Sequence, residues 1–142
     1  MPRLRPITAL LLAPLALLAA GADELFFESK VRPVLIKRCY DCHSTEKKTK
    51  GGLALDTRAG WQHGGDNGPA IIPGDLTKSL LIKAVRYLDK DFAMPPKSRL
   101  PADEVAILEE WVKRGAPDPR TDDATKAAKP KRSLDLEAGR KF

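Results

Sequence analysis

The chain has 142 residues, with 25 Lys and Arg against 19 Asp and Glu, and its formal net charge is +6. Residues 23–118 hold 16 basic and 15 acidic side chains, so most of the excess positive charge lies in the two terminal segments. Because a nucleic-acid interface needs clustered basic residues on structured elements, nucleic acid is not an expected partner. The length allows one small domain of about 100 residues.

Residues 1–22 have the composition of a secretory signal peptide. They carry two arginines, no acidic residue and an apolar stretch from residue 7 to residue 20. Small residues at the end of this segment predict cleavage before Asp23. The stretch is shorter than the roughly 20 apolar residues of a membrane-spanning helix. We therefore expect a periplasmic or otherwise exported protein with no stable membrane span, and an uncleaved N-terminal anchor is the alternative.

The first half of the mature chain is predicted to be a helix followed by a loop. In residues 23–38 the apolar side chains recur at helical spacing, and acidic residues lie in the first turn, where the helix dipole favours them. Pro33 lacks a backbone donor, so we expect this helix to bend or split there. Residues 44–75 contain seven glycines, which predicts a long loop with one short helix near residues 56–62.

Two more helices are predicted further along the chain. Asp75 is typical of a helix N-cap, and apolar side chains follow it at helical spacing as far as Leu88. Three prolines in residues 92–101 predict an extended or turned segment. Pro101 suits the first position of a last helix, which Gly115 would end.

The end of the chain differs from the part before it. Residues 119–142 are rich in Ala, Lys, Asp and Pro and have few large apolar groups, which predicts a disordered tail or an interdomain linker. No strand of convincing length precedes this segment. The sequence therefore predicts an all-α domain over residues 23–118, with three or four helices around a long glycine-rich loop.

Both cysteines and one of the two histidines lie in the pentad Cys39-Tyr40-Asp41-Cys42-His43. This C-x-x-C-H spacing is typical of c-type haem attachment. Two thiols three positions apart can form thioethers with two vinyl groups on one porphyrin edge, and the adjacent imidazole can bind the iron. The pentad therefore predicts one covalent haem c held by Cys39, Cys42 and His43, which agrees with an exported protein.

Three other roles remain open for the two cysteines. A thioredoxin-like dithiol is one, although that motif normally follows a strand. A zinc site formed by Cys39, Cys42 and His63 is another, although structural zinc usually takes four ligands. The third is a Cys39–Cys42 disulfide in a non-haem secreted module.

Met94 is the one methionine beyond the predicted signal peptide, and two prolines follow it. A lone Met often fills a gap in a core. A proline-stiffened segment, however, can present a thioether sulfur to iron with little conformational entropy to lose, so we predict Met94 as the second axial ligand. His63 is the remaining imidazole available for bis-His ligation, and His/Met ligation would give a higher reduction potential than bis-His.

Taken together, these residues resemble the class I cytochrome c domain, and more closely the planctomycete-type cytochrome c domain of large secreted proteins. The similar stretches are residues 31–43, 51–57, 64–81, 94–96 and 107–117. The resemblance implies that Cys39 and Cys42 attach the haem, with His43 as proximal and Met94 as distal ligand. It also implies a helical fold in which the first and last helices cross near one haem edge, with Trp111 packed between them and residues 69–73 on the proximal side.

The function implied by this resemblance is one-electron transfer with redox protein partners, and not catalysis. A five-coordinate haem enzyme or gas sensor is the alternative, and it requires that Met94 does not bind iron. In this family the cytochrome domain usually opens a much longer chain. Residues 119–142 therefore resemble the start of a junction to further domains, in a short natural relative or in a truncated chain.

Overall fold

The structure is a computed structural model, and it describes residues 13–121. The first part of the predicted signal peptide and residues 122–142 of the predicted tail lie outside that range. Isolated bridges are the only β pairing between residues 13 and 121, so the predicted all-α class is confirmed. The helices are α1 (Ala13–Phe26), α2 (Arg32–Arg38), α3 (Arg58–His63), α4 (Leu80–Val85) and α5 (Ala102–Lys113), and 3₁₀ turns occur at Lys50–Gly52 and Lys90–Phe92.

A π-helical turn, Phe27–Val31, joins α1 directly to α2. The N–H of Arg32 bonds to the carbonyl of Phe27, five residues earlier, and Pro33 lies in the first turn of α2. Pro33 has no N–H to donate, and the wider turn lies immediately before it. The expected disturbance at Pro33 is therefore a π turn, and the helix does not break. None of the helices within residues 13–121 has both the length and the apolar character needed to span a membrane.

The core forms where the π turn, α3 and α5 meet. The rings of Phe27 and Trp111 are buried with their centroids 5.7 Å apart, and the ring of Trp61 meets Trp111 edge-on at 5.9 Å. Aromatic pairs prefer such tilted arrangements, which add to the gain from burial. The Trp111 indole N–H also donates to the carbonyl of Pro117 at 2.9 Å. Trp111 therefore packs between the first and last helices, as the resemblance implied.

The prediction that Asp75 caps a helix is wrong. Asp75 Oδ1 accepts hydrogen bonds from the backbone N–H groups of Thr77 and Lys78, both at 2.9 Å, and so closes a turn. The helix itself begins at Leu80, with Ser79 at the N-cap position. Asp75 thus uses its carboxylate in the turn that leads to α4 and does not reach the helix.

The other two helix starts lie close to their expected positions. α3 begins at Arg58, and the hydroxyl of Thr57 caps it by accepting from the N–H of Gly60 at 2.9 Å. α5 begins one residue after Pro101, which occupies the N-cap position. Gly115 follows the end of α5 with φ +94°, and its N–H bonds to the carbonyl of Val112 at 3.0 Å.

Packed contacts continue beyond the predicted end of the domain at residue 118. The side chains of Asp118 and Arg120 are buried, and Arg120 Nη2 lies 2.6 Å from Asp118 Oδ2. Arg120 Nη1 also donates to the hydroxyl of Tyr40 and to the carbonyl of Leu55, both at 2.9 Å. The indole N–H of Trp61 donates to Asp118 at 2.9 Å. The last described residues therefore pack against the cysteine-containing pentad.

Candidate functional site

The pentad forms a tight turn directly after α2. The N–H of Cys39 bonds to the carbonyl of Leu35, and the N–H of His43 bonds to the carbonyl of Cys39, both at 2.9 Å. Bonds between residues four positions apart bring their side chains to the same side of the backbone. Beyond the turn, the His43 carbonyl accepts from the N–H of Leu55 at 2.8 Å, which fixes the end of the pentad to the following loop.

A cavity lies beside the pentad, with a volume of about 880 Å³ including its open mouth. Cys39 and His43 line it from the pentad, and Met94 lines it from the segment after α4; Cys42 is not part of the lining. The remaining lining is mainly aliphatic and includes Leu53, Leu55, Leu81, Val85 and Leu100. A largely apolar cavity with a few polar groups is typical of a small-molecule or cofactor site.

The imidazole of His43 has unused hydrogen-bonding capacity. Within the described part of the chain, two buried side-chain polar atoms have no hydrogen-bond partner, and these are His43 Nδ1 and Asp56 Oδ1. Buried polar atoms are nearly always paired, so an unpaired imidazole nitrogen beside a cavity indicates a missing partner. Imidazole and thioether are the axial ligands of Met/His cytochromes. The residues present here therefore fit a haem.

Met94 is part of the cavity wall and is not a core residue. Its side chain is 38 % exposed, and its N–H bonds to the carbonyl of Ala84 in α4 at 3.1 Å. His63, by contrast, is exposed at the end of α3 and does not contribute to the cavity. The structure thus brings Met94 together with Cys39 and His43, and it does not bring His63 to them.

The environment of the cysteines does not favour dithiol chemistry. Both are free thiols and half-buried. Burial, and after it the nearby carboxylate of Glu104, raises the pKa of the Cys39 thiol to about 12. A redox-active dithiol needs a thiol whose pKa is lowered. Among residues 13–121, no three His, Cys, Asp or Glu side chains are grouped so that they could hold a metal ion. Cys39, Cys42 and His63 therefore do not form the zinc site considered above.

An ion pair that the sequence did not reveal lies at the edge of the cavity. Arg38, which lines the cavity beside Cys39, donates from Nε and Nη2 to the two oxygens of Glu104 at 2.6 and 2.9 Å. These hydrogen bonds hold the pKa of the Glu104 carboxyl below its ordinary value, against the effect of burial. The pair joins α2 to α5 next to the first cysteine. The two residues are 66 positions apart, so no local pattern indicates the contact.

Two glycine-rich turns form another part of the cavity wall. The N–H of Asp66 bonds to the carbonyl of Gly51 at 2.8 Å. A Cβ on Gly65 would lie 2.4 Å from that same carbonyl oxygen, which is closer than atoms can approach. Glycine at this position is therefore required by the contact between two backbones. The turns bring Gly51, Gly65 and Gly68 to the cavity.

Comparison with known families agrees with this geometry. Residues 39–98 match the family model described as planctomycete cytochrome C. The matched range begins at the first cysteine of the pentad and includes Met94. Cytochrome c domains are in general electron carriers that contain haem c, and they are typically exported. No curated protein and no solved structure matches the chain. Over residues 39–98, the chain is therefore similar to the planctomycete cytochrome C family.

Proposed function

We propose that the protein is an exported c-type cytochrome with one haem, which passes single electrons between redox protein partners. The observation that carries this proposal is the convergence of Cys39, His43 and Met94 on one apolar cavity. The family match supports it, because cytochrome c domains are generally electron carriers and not enzymes. The haem, when bound, supplies the redox chemistry, and the protein supplies ligands, burial and orientation.

Each site residue has a specific role in this proposal. The thiols of Cys39 and Cys42 would attach the haem by addition across its two vinyl double bonds, an addition in which each S–H proton goes to carbon and no atom is lost. His43 and Met94 would supply the imidazole nitrogen and the thioether sulfur that hold the iron of a bound haem. The aliphatic cavity wall keeps water away from the iron, which favours the less charged reduced state. With two axial ligands from the protein, no position is left for a substrate.

The proposal of covalent haem is tested by intact mass and by haem staining of the denatured protein. The full chain is expressed in a bacterium with a cytochrome c maturation system. We expect a polypeptide starting at Asp23 whose mass includes one haem, and a stain that survives denaturation. Replacing both cysteines, Cys39→Ser and Cys42→Ser, should abolish the stain. A wild-type mass without haem, with a Cys39–Cys42 disulfide, would instead support the non-haem module.

The proposed sixth ligand is tested by Met94→Ala. This variant should keep its covalent haem, lose the ferric charge-transfer band between thioether and iron, bind added imidazole and show a lower reduction potential. The reduction potential should fall because Met/His ligation, which the variant lacks, favours the reduced iron. His63→Ala is the matched control and should leave the band unchanged. An unchanged spectrum in Met94→Ala would favour a five-coordinate haem enzyme or gas sensor.

A further inference from the structure

Tyr87 has a backbone conformation that tyrosine rarely adopts. It lies two residues after the end of α4, next to the C-cap residue Arg86, and its φ is +58°. This left-handed region is unfavourable for any residue with a Cβ, so such residues persist where surrounding contacts fix them, often at functional sites. The N–H of Tyr87 bonds to the carbonyl of Ala84 at 3.1 Å. The conformation turns the chain at the end of α4 towards the segment that contains Met94.

The contacts of Tyr87 lie on that segment. Its hydroxyl donates to the carbonyl of Pro95, the residue after Met94. The guanidinium of Arg99 lies 4.8 Å from the centre of its ring, a distance at which cation and ring attract each other. The carbonyl of Ala84, which accepts from Tyr87, also accepts from the N–H of Met94 at 3.1 Å. The backbone is therefore held on both sides of Met94. Its own N–H shares the carbonyl of Ala84 with Tyr87, and the next residue, Pro95, accepts from the Tyr87 hydroxyl.

Met94 has little else to hold it in place. Its side chain is more exposed than any aliphatic residue of the core. Between residues 13 and 121, the hydroxyl of Tyr87 provides the one hydrogen bond made to residues 95–99. A segment held by so few contacts opens more readily than a packed helix. The strength of this hydrogen bond therefore has a direct effect on how long Met94 stays at the cavity.

We propose that Tyr87 is a positioning residue for Met94, and that its hydroxyl controls how readily the sixth position of the iron opens to an external ligand. The inference rests on the proposed ligation by His43 and Met94. An external ligand binds only when Met94 has left, so its apparent affinity is proportional to the population of that open state. Loss of one neutral hydrogen bond changes such a population by about threefold to tenfold.

The test uses Tyr87→Phe in the haem-loaded full chain, since this variant keeps the ring and removes only the hydroxyl. At pH 7 the apparent affinity of the ferric protein for imidazole should rise by about threefold to tenfold, because the open state gains population. The charge-transfer band of the thioether should disappear at a lower temperature than in the wild type. Met94→Ala gives the upper limit of imidazole affinity.

Ser79→Ala is the matched control for loss of stability. Ser79 is fully buried at the other end of α4, and its hydroxyl donates to the carbonyl of Asp75 at 2.7 Å. The variant should lower the unfolding temperature and leave the affinity for imidazole unchanged. An equal rise in affinity in Ser79→Ala and Tyr87→Phe would overturn the positioning role, since the effect would then be general.

Two further outcomes separate this inference from the proposed function. If Met94→Ala raises the affinity for imidazole and Tyr87→Phe does not, the role of Tyr87 is overturned and the ligation by Met94 stands. If the wild type lacks the band and Met94→Ala binds imidazole no better than the wild type, the ligation itself is overturned, and the role of Tyr87 with it.

Discussion

Among single residues, Asp118 and Arg120 form a buried ion pair near the end of the described part of the chain. Both side chains are almost completely removed from solvent. Burial by itself would raise the pKa of the Asp118 carboxyl, but the hydrogen bonds from Arg120 and Trp61 outweigh it, and the pKa lies below its ordinary value. A carboxyl with a lowered pKa in the folded state stabilises the fold above its unfolded pKa.

Asp118→Asn should therefore lower the free energy of unfolding at pH 7 by about 3–5 kcal/mol, because the charge of Arg120 would stay buried without its partner. In the wild type this contribution should disappear as the pH falls below about 4, where the unfolded carboxyl takes up a proton before the folded one. The variant should lack that part of the pH dependence. Urea unfolding from pH 7 to pH 3 measures both effects.

Asp41→Asn is the matched control, because it removes an exposed carboxylate whose partner, Lys47, is also exposed. Exposed ion pairs contribute little. Its unfolding free energy at pH 7 should stay close to that of the wild type. An equally small loss in Asp118→Asn would contradict a structural role for the buried pair.

The sequence reveals some of these residues and hides others for a physical reason. Cys39, Cys42 and His43 lie in one turn, so their chemistry follows from spacing alone. Met94 was indicated by its prolines, although its contact with the cavity depends on α4 and could not be derived. Asp118 and Arg120, two positions apart near a polar tail, have the pattern of solvated charges, and only their distant partners bury them.

Among the helices, the end of α5 is formed by Gly115, whose backbone conformation favours glycine. Gly115 has φ +94°, and no atom lies within 4 Å of the position that a Cβ would take. Gly115→Ala should therefore lose about 1–2 kcal/mol of unfolding free energy through backbone strain alone. Gly115→Asn should lose less, because asparagine tolerates the left-handed region. Urea unfolding with an unchanged m value measures this difference, and equal losses in the two variants would show that backbone strain is not the cause.

The prediction of helices succeeded where the signal at the terminus is unambiguous. Gly115 follows the end of α5 as expected, and α3 lies close to the expected residues 56–62, although its cap, Thr57, was not predicted. The prediction that Asp75 caps a helix failed because an aspartate that closes a turn and an aspartate that caps a helix have the same local sequence pattern. The π turn before Pro33 contains Phe27, whose ring packs against Trp111 of α5, and periodicity does not indicate that contact.

At the scale of the whole molecule, the packed contacts of the described residues reach Arg120 and so suggest where the domain can be shortened. We predict that a chain ending at Thr121 keeps most of the stability of the full chain. A chain ending at Asp118 should lose about 3–5 kcal/mol of unfolding free energy, since Asp118 would then be buried without Arg120. Thermal and urea unfolding of the two chains test this boundary. Equal stability would place the end of the cooperative unit before Arg120.

For the residues that the structure describes, the all-α class and the order of the helices could be predicted, because both follow from local patterns. The cavity could not be predicted, because its wall combines residues from 38 to 100 that lie far apart in the sequence. The ion pair between Arg38 and Glu104 and the contact between the two glycine turns both belong to that wall. Each of them depends on a tertiary arrangement for which the sequence carries no periodic signal.

The guanidinium of Arg120 links the end of the described chain to the pentad that contains the two cysteines. It donates to the hydroxyl of Tyr40, which lies between the two cysteines, and it belongs to the last residues that the structure describes. Tension applied to the chain beyond Thr121 would therefore reach the short peptide between Cys39 and Cys42 through one side chain. Arg120 and Tyr40 would move together under such a pull, because a hydrogen bond joins their side chains.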